Sequence, residues 1–167
     1  PKSCNIVTSC EGKGKTFIMF SDDLDKALAT FVLANGAAAT GQKVTIFFTF
    51  WGLNVIKKLH KPNVEKDIFG KMFGMMLPSS SRKLKLSKMS MGGIGGKMMR
   101  YIMNRKGIDS LESLRQQALE NGVEFIACQM SMDVMGVKQE ELLDEVTIGG
   151  AATYMERADN ANINLFI

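Results

Sequence analysis

A chain of 167 residues with 46% hydrophobic and 23% charged residues is long enough to bury one core without a disulfide or metal staple, and too apolar to be intrinsically disordered. It has no run of about 18 apolar residues, which excludes a membrane-spanning helix but not attachment to a membrane surface. The formal charge of +4 hides an asymmetry: positions 57–106 hold 13 Lys/Arg against two acids, a net +11, and the remainder holds eight against 15, a net −7.

Such a basic block could meet nucleic acid, an anionic membrane or an acidic partner. It lacks the interleaved aromatics of a single-strand stacking platform, so nucleic acid is not expected, and a solvated basic face is the simplest reading. Cysteines at 4, 10 and 128 cannot all pair with one another, and Pro1-Lys2 lead into a polar stretch without a secretory apolar core. A reducing, cytoplasmic setting is the expectation, with membrane association left open.

Positions 1–14 read as a flexible arm ahead of a single domain over 15–167. Cys4 and Cys10 fit neither a CxxC redox pair nor zinc-knuckle spacing, and the lone His60 leaves little for a metal. Gly12-Lys-Gly-Lys-Thr16 lacks the first glycine of a P-loop and precedes a strand where a P-loop needs a helix. Thr16 to Phe20 reads as a central strand. Ser21, as N-cap, and Asp22, Asp23 and Asp25 then open a helix whose apolar stripe is Leu24, Leu28, Phe31 and Val32, stopped at Gly41. The acids serve as helix capping more simply than as catalytic carboxylates. Lys43 to Phe50 is a second buried strand, too continuously apolar for a sheet with one wet face, so a parallel sheet covered on both sides is predicted. Trp51 follows at its carboxyl end, where it walls a crevice or packs under the next helix.

A short helix is expected over 53–60, and then the pattern degrades into an insert at about 62–106. Eight of the chain's 13 methionines fall in Ile68 to Met103, with Pro78-Ser-Ser-Ser81, Arg82-Lys-Leu-Lys85 and Gly92-Gly-Ile-Gly-Gly96. Flexible, polarisable methionine suits adaptable apolar surface. A lid or subunit contact, a membrane or partner-protein contact, and a copper(I) thioether site remain as alternatives. Ile108 to Asn121 is a helix capped by Asp109 or Ser110 and ended by Gly122.

Asn121-Gly122 then turns into the apolar run Val123 to Ala127, a buried strand ending at Cys128. The carboxyl ends of strands in an open α/β sheet border the ligand crevice. A thiol there is shielded yet reachable, and a helix started by the following residues, Ser131 and Asp133 among them, would favour the thiolate. The alternative is a small buried hydrophobe. A helix around Gln139 to Asp144, a short strand Val146 to Ile148, the Gly149-Gly150 turn, a helix over Ala151 to Asn160 and a strand from Asn162 to Ile167, tucked into the sheet, complete the chain. Tyr154 reads as a packed helical tyrosine more readily than a rim hydroxyl.

Several stretches together resemble one family: Phe20-Ser-Asp-Asp-Leu-Asp-Lys-Ala-Leu28, Ala34-Asn-Gly-Ala37, Phe47-Phe-Thr-Phe-Trp-Gly-Leu53, Lys83-Leu-Lys-Leu-Ser-Lys-Met89, Ala127-Cys-Gln-Met-Ser-Met-Asp-Val-Met-Gly136, Gly149-Gly-Ala-Ala-Thr-Tyr154 and Asn164-Leu-Phe-Ile167. From Lys15 to Ile167 the chain is similar to the DsrE/DsrF-like sulfur-relay proteins, closest to a subgroup also found fused to coenzyme A disulfide reductase and rhodanese modules. The resemblance implies a three-layer α/β/α Rossmann-like domain with a mostly parallel sheet of about five strands, commonly assembled as a homo-oligomer. It implies that Cys128 carries transferable sulfur as a persulfide, with no cofactor and no metal. The thiolate attacks a sulfane sulfur and passes it on by exchange.

The reading is therefore a sulfur carrier of sulfurtransferase type, accepting persulfide or thiosulfate sulfur on Cys128. Ser131 and nearby backbone N–H groups stabilise the thiolate, Asp133 belongs with them as a stabilising or pocket-lining residue, and Trp51 and Met130 shape the pocket. Partners implied are rhodanese-like or TusA-like donor and acceptor proteins, or low-molecular-weight thiols. The alternative is a non-catalytic module whose methionine-rich basic insert docks a membrane or an acidic partner, Cys128 being structural.

Overall fold

The computed structural model describes residues 14–59, 68–88 and 91–167. Cys4, Cys10 and His60 lie outside them. Strands Gly14–Met19 (β1), Val44–Phe48 (β2), Glu124–Cys128 (β3), Thr147–Gly149 (β4) and Ala161–Phe166 (β5) form one sheet in the order β4-β3-β2-β1-β5. Every neighbouring pair is parallel. The helices are Leu24–Ala39 (α1), Ile68–Met76 (α2), Ile94–Arg105 (α3), Leu111–Glu120 (α4), Gln129–Met135 (α5) and Ala151–Asp159 (α6).

Side-chain alternation along the strands sets the layers. Phe17, Met19, Val44, Ile46, Phe48, Phe125 and Ala127 face α1 and α4, and with Leu24, Ala27, Phe31, Ala34, Leu111 and Ala118 they make the main core. The rings of Phe31, Phe48 and Phe125 sit 5.3–6.5 Å apart at its centre, each burial stabilising by about 2 kcal/mol. Ile18, Phe47, Ile126 and Cys128 point the opposite way, beneath Tyr154 and Ala158 of α6. The sheet thus has helices on both faces, a three-layer α/β/α Rossmann-like fold.

Coverage is unequal. Strands β1 to β4 step in one direction, and α6 crosses back over the far face to set β5 beside β1, as right-handed connections require. Among the described residues, α6 alone covers that face. The expected terminal strand is present and joins the sheet, the N–H of Ile167 donating to the carbonyl of Ile18 at 2.8 Å. It is not tucked in: as an edge strand it leaves Ile163, Leu165 and Phe166 exposed.

Local differences have local causes. The helix expected over 53–60 is a 3-10 helix, Phe50–Ile56. That expected at Gln139–Asp144 is one 3-10 turn, Gln139–Glu141, because Leu142 is taken into an antiparallel bridge with Lys57. The N-cap of α1 is Asp23, two residues past the predicted Ser21, whose hydroxyl accepts the Asp23 N–H at 3.1 Å. Ser110 caps α4 as one of the two candidates, accepting from the Ser113 N–H at 3.2 Å. The insert is pinned at its middle: the carbonyl of Lys85 accepts the Leu24 N–H at 2.7 Å, and Arg100 donates to the carbonyl of Ser81 and to Glu112 at 3.0 and 3.3 Å.

Candidate functional site

Five parallel strands deliver their carboxyl ends to one rim. Cys128 is the last residue of β3 and also the N-cap of α5, which starts at the very next residue. Its thiol is free, the single cysteine among the described residues, and it is 6% exposed, packed with Phe47, Ile126 and Tyr154 on the α6 side of the sheet.

In the strand register Cys128 lies beside Gly149 of β4. A Cβ at Gly149 would come within 2.9 Å of Ile126 Cγ2 and 3.2 Å of Thr153 Cβ. Glycine there lets the first turn of α6 close on the sheet next to the thiol. Gly150 is the N-cap of α6, so the amide ends of α5 and α6, whose first N–H groups have no intrahelical acceptors, both open at the strand ends that flank Cys128. The Gly-Gly pair is visible in the sequence. Its pairing with Cys128 is not, because that depends on register.

The predicted site residues divide. Trp51 and Met130 stand exposed on the rim. Ser131 is buried, and its hydroxyl meets Thr49 Oγ1 at 2.8 Å, tying the first turn of α5 to the end of β2. Thr49 is a residue sequence reasoning passed over. Asp133 is exposed and accepts from Gln129 Nε2 at 3.0 Å. The Ser131 bond thus anchors α5 to Thr49, while the Asp133 bond to Gln129 is internal to α5. The Tyr154 hydroxyl is 3.1 Å from Thr16 Oγ1, a packed tyrosine. Farther along α6, Arg157 grips Glu124 of β3 at 2.9 and 3.2 Å. That guanidinium, with help from Thr45, holds the Glu124 carboxyl below the usual range.

The turn leaving β2 is tight. Phe50 has φ 47°, a left-handed conformation that strains a side-chain-bearing residue. Its ring packs against Phe20 at 5.4 Å, and Phe20 against Phe166 at 5.7 Å, an aromatic row across the ends of β2, β1 and β5. Gly52 follows, its N–H donating to the carbonyls of Phe20 and Thr49 at 2.9 and 3.0 Å.

The carboxyl ends of β1 and β2 also carry a polar pair. Asn54 is fully buried, its Nδ2 donates to Asp22 Oδ2 at 3.0 Å, and its Oδ1 has no partner. Burial pushes the Asp22 carboxyl above its usual value of 3.8, against the Asn54 hydrogen bond that lowers it. A carboxyl with a raised folded pKa binds protons more tightly in the folded state, so stability falls as pH rises from 3.8 through that folded pKa. Asp22→Asn removes this loss and offers an N–H₂ to Asn54 Oδ1. Urea melts should show the variant more stable than wild type at pH 7, with the difference shrinking toward pH 4.

Residues 12–166 match the model of the DsrE/DsrF/DrsH-like family. The chain belongs to that family. The uncharacterized protein YrkE of Bacillus subtilis is 43% identical over 155 residues, covering 93% of this chain and 97% of that protein. The sulfur carrier protein DsrE2 of Allochromatium vinosum is 39% identical over 161 residues, covering 94% and 99%. Among solved structures, the ychN protein from E. coli superposes with a TM-score of 0.55 at 11% identity, covering 92% of this chain and 99% of that one, a likeness of fold alone. Membership of the DsrE/DsrF/DrsH-like family, with a sulfur carrier among its relatives, supports a role in sulfur relay.

Proposed function

We propose that this chain is a sulfur carrier that loads sulfane sulfur on Cys128 and hands it to a partner thiol. The observation that carries the reading is the position of Cys128, last residue of a parallel strand and N-cap of the following helix, on a rim flanked by Trp51 and Met130. The thiol gives its proton to solvent and the sulfur anion attacks the outer sulfur of a donor persulfide. The donor S–S bond breaks, an S–S bond forms on Cys128, and the donor leaves as a thiolate. With thiosulfate the same attack releases sulfite. Delivery repeats the exchange on an acceptor thiol, without net oxidation and without a cofactor.

Donor and acceptor are proteins of rhodanese-like or TusA-like type or small thiols, in a reducing, cytoplasmic setting where a free thiol persists. The exposed Trp51 and Met130 offer them an apolar landing. A homo-oligomer is part of this reading, supported by the uncharged edge strand β5 with its exposed Ile163, Leu165 and Phe166. The test is intact-protein mass spectrometry after incubation with polysulfide and, separately, thiosulfate. Wild type gains sulfur and Cys128→Ser does not. Sulfur retained by the variant, or no gain from either donor, would sink the proposal.

A further inference from the structure

The Cys128 thiol is buried, yet a partner in sulfur exchange must bring its own sulfur into line with it, so one side of the site has to open. On the β2 side it is closed. Phe47 packs against Cys128, and continuing the pairing of Phe48 with Ala127 by one residue sets Thr49, whose backbone is still extended, level with Cys128. The Thr49 hydroxyl is tied to Ser131 at 2.8 Å. Tyr154 of α6 packs on the thiol from above the sheet. On the remaining side, among the described residues, the sheet has one more strand, β4, three residues long and at its edge. The β4 residue level with Cys128 is Gly149, and the exposed Gly150, Ala151 and Ala152 follow it.

The two glycines have different causes. Gly149 is required by packing, since a Cβ there would run into Ile126 and Thr153. Gly150 is not. Its φ of −102° and ψ of −178° are extended backbone open to any residue, and an added Cβ would have no atom within 4 Å. Capping does not call for glycine either: Gly150 is the N-cap of α6, a position where serine, aspartate or asparagine would accept a first-turn N–H that glycine leaves without a side-chain acceptor. Conformation and packing therefore tolerate a side chain at 150, and capping favours one. What glycine supplies is the absence of bulk, one residue from the neighbour of the thiol at the sheet edge.

We propose that sulfur partners reach Cys128 over the β4 edge, through the gap that Gly149 and Gly150 leave at the start of α6, and that Gly150 is the specificity-determining position. It admits a thiol carried on a protein or peptide chain, where a larger residue would admit only small molecules. The sulfur step rests on the carrier reading; the access route rests on the geometry alone. The experiment uses the full chain as wild type, Gly150→Leu, Ala151→Leu and Gly150→Ser, with the Cys128 peptide read by mass spectrometry. Free thiol is alkylated with iodoacetamide and with a poly(ethylene glycol) maleimide. Polysulfide-loaded protein gives its outer sulfur to cyanide, which leaves as thiocyanate, and to a poly(ethylene glycol) thiol, Cys128 being released as thiolate each time. Wild type reacts with all four. Gly150→Leu keeps the wild-type circular dichroism spectrum, stays within about twofold of wild type toward iodoacetamide and cyanide, and loses at least about tenfold toward both polymer reagents, the scale of discrimination a steric contact gives. Ala151→Leu, one residue farther on, shows the same split and carries the test if the first variant does not fold. Gly150→Ser, small and a better cap, matches wild type with every reagent. Wild type that reacts with iodoacetamide but not with the polymer maleimide overturns the inference, as do polymer rates unchanged in both leucine variants. Equal slowing toward small and large reagents overturns it too, by assigning Gly150 to the shape of the site. The alkylation arms need no sulfur, so they decide the access route even if Cys128 loads none, and loading decides the carrier reading whichever way access falls.

Discussion

Cys128→Ser should leave the protein folded and lower sulfur transfer to an acceptor thiol by at least about a thousandfold, the scale seen when a nucleophile is removed. Serine puts a hydroxyl among Phe47, Ile126 and Tyr154, which costs about 1–3 kcal/mol if unpaired. The same hydroxyl stands at the N-cap of α5, where serine is a preferred residue and regains about 1 kcal/mol by accepting a first-turn N–H. The two terms nearly offset, so the melting temperature should move by only a few degrees, at roughly 2–4 °C per kcal/mol for a chain of this size. Loss of transfer without loss of fold is the signature of a reacting atom. Cys128→Ala lacks the nucleophile and both of serine's offsetting terms, so it should melt within a few degrees of the serine variant with the same absence of transfer. A chain that passes sulfur at the wild-type rate without Cys128 would assign the chemistry elsewhere.

What could be read from the residues follows the range of the interactions involved. Strands β1, β2 and β3 are continuous apolar runs bounded by turn signals, and α4 has a cap, a stripe and a closing glycine, so each announces itself within a dozen residues. Cys128 at a strand end followed from the same local logic. A helix start just after it was expected as well, around Ser131 and Asp133; α5 begins at Gln129, with Cys128 as its N-cap residue and Thr49, just past β2, holding Ser131. Gly149 beside Cys128 and the placing of α6 on the far face are matters of register and crossover, which no local pattern encodes. The site also sits away from the fold's topological switch. Order reverses between β1 and β5, and β3 is two strands from β1, so the generic expectation for a ligand crevice identifies the rim but not the strand. In the insert, composition predicted adaptable apolar surface. Only the burial pattern shows that Ile94, Met98 and Tyr101 face outward while the glycines of α3 face in.

Gly52→Ala should be among the most damaging single substitutions in the chain. A Cβ at this position would lie 1.9 Å from the carbonyl oxygen of Met19 and 2.7 Å from its carbon. The obstacle is backbone, and it is held in place: that oxygen accepts the Thr49 N–H at 3.1 Å, so it cannot swing aside as a flexible side chain would. Relief requires moving Phe50–Ile56 away from β1, which breaks the Gly52 N–H bond to Phe20 and disturbs the left-handed Phe50. The cost should be about 3–5 kcal/mol, the upper range for forcing atoms into a packed site, and the melting temperature should fall on the order of 10 °C. Because Thr49 opens this turn as its N-cap and also holds Ser131, the damage reaches α5: sulfur loading of the remaining folded protein should slow as well. Gly36→Ala is the control. Gly36 lies inside α1 with no atom within 4 Å of an added Cβ, so alanine there should stabilise by about 0.5–1 kcal/mol. If both variants melt like wild type, the close approach of Gly52 to β1 is not what shapes the rim, and the strained turn after β2 needs another cause.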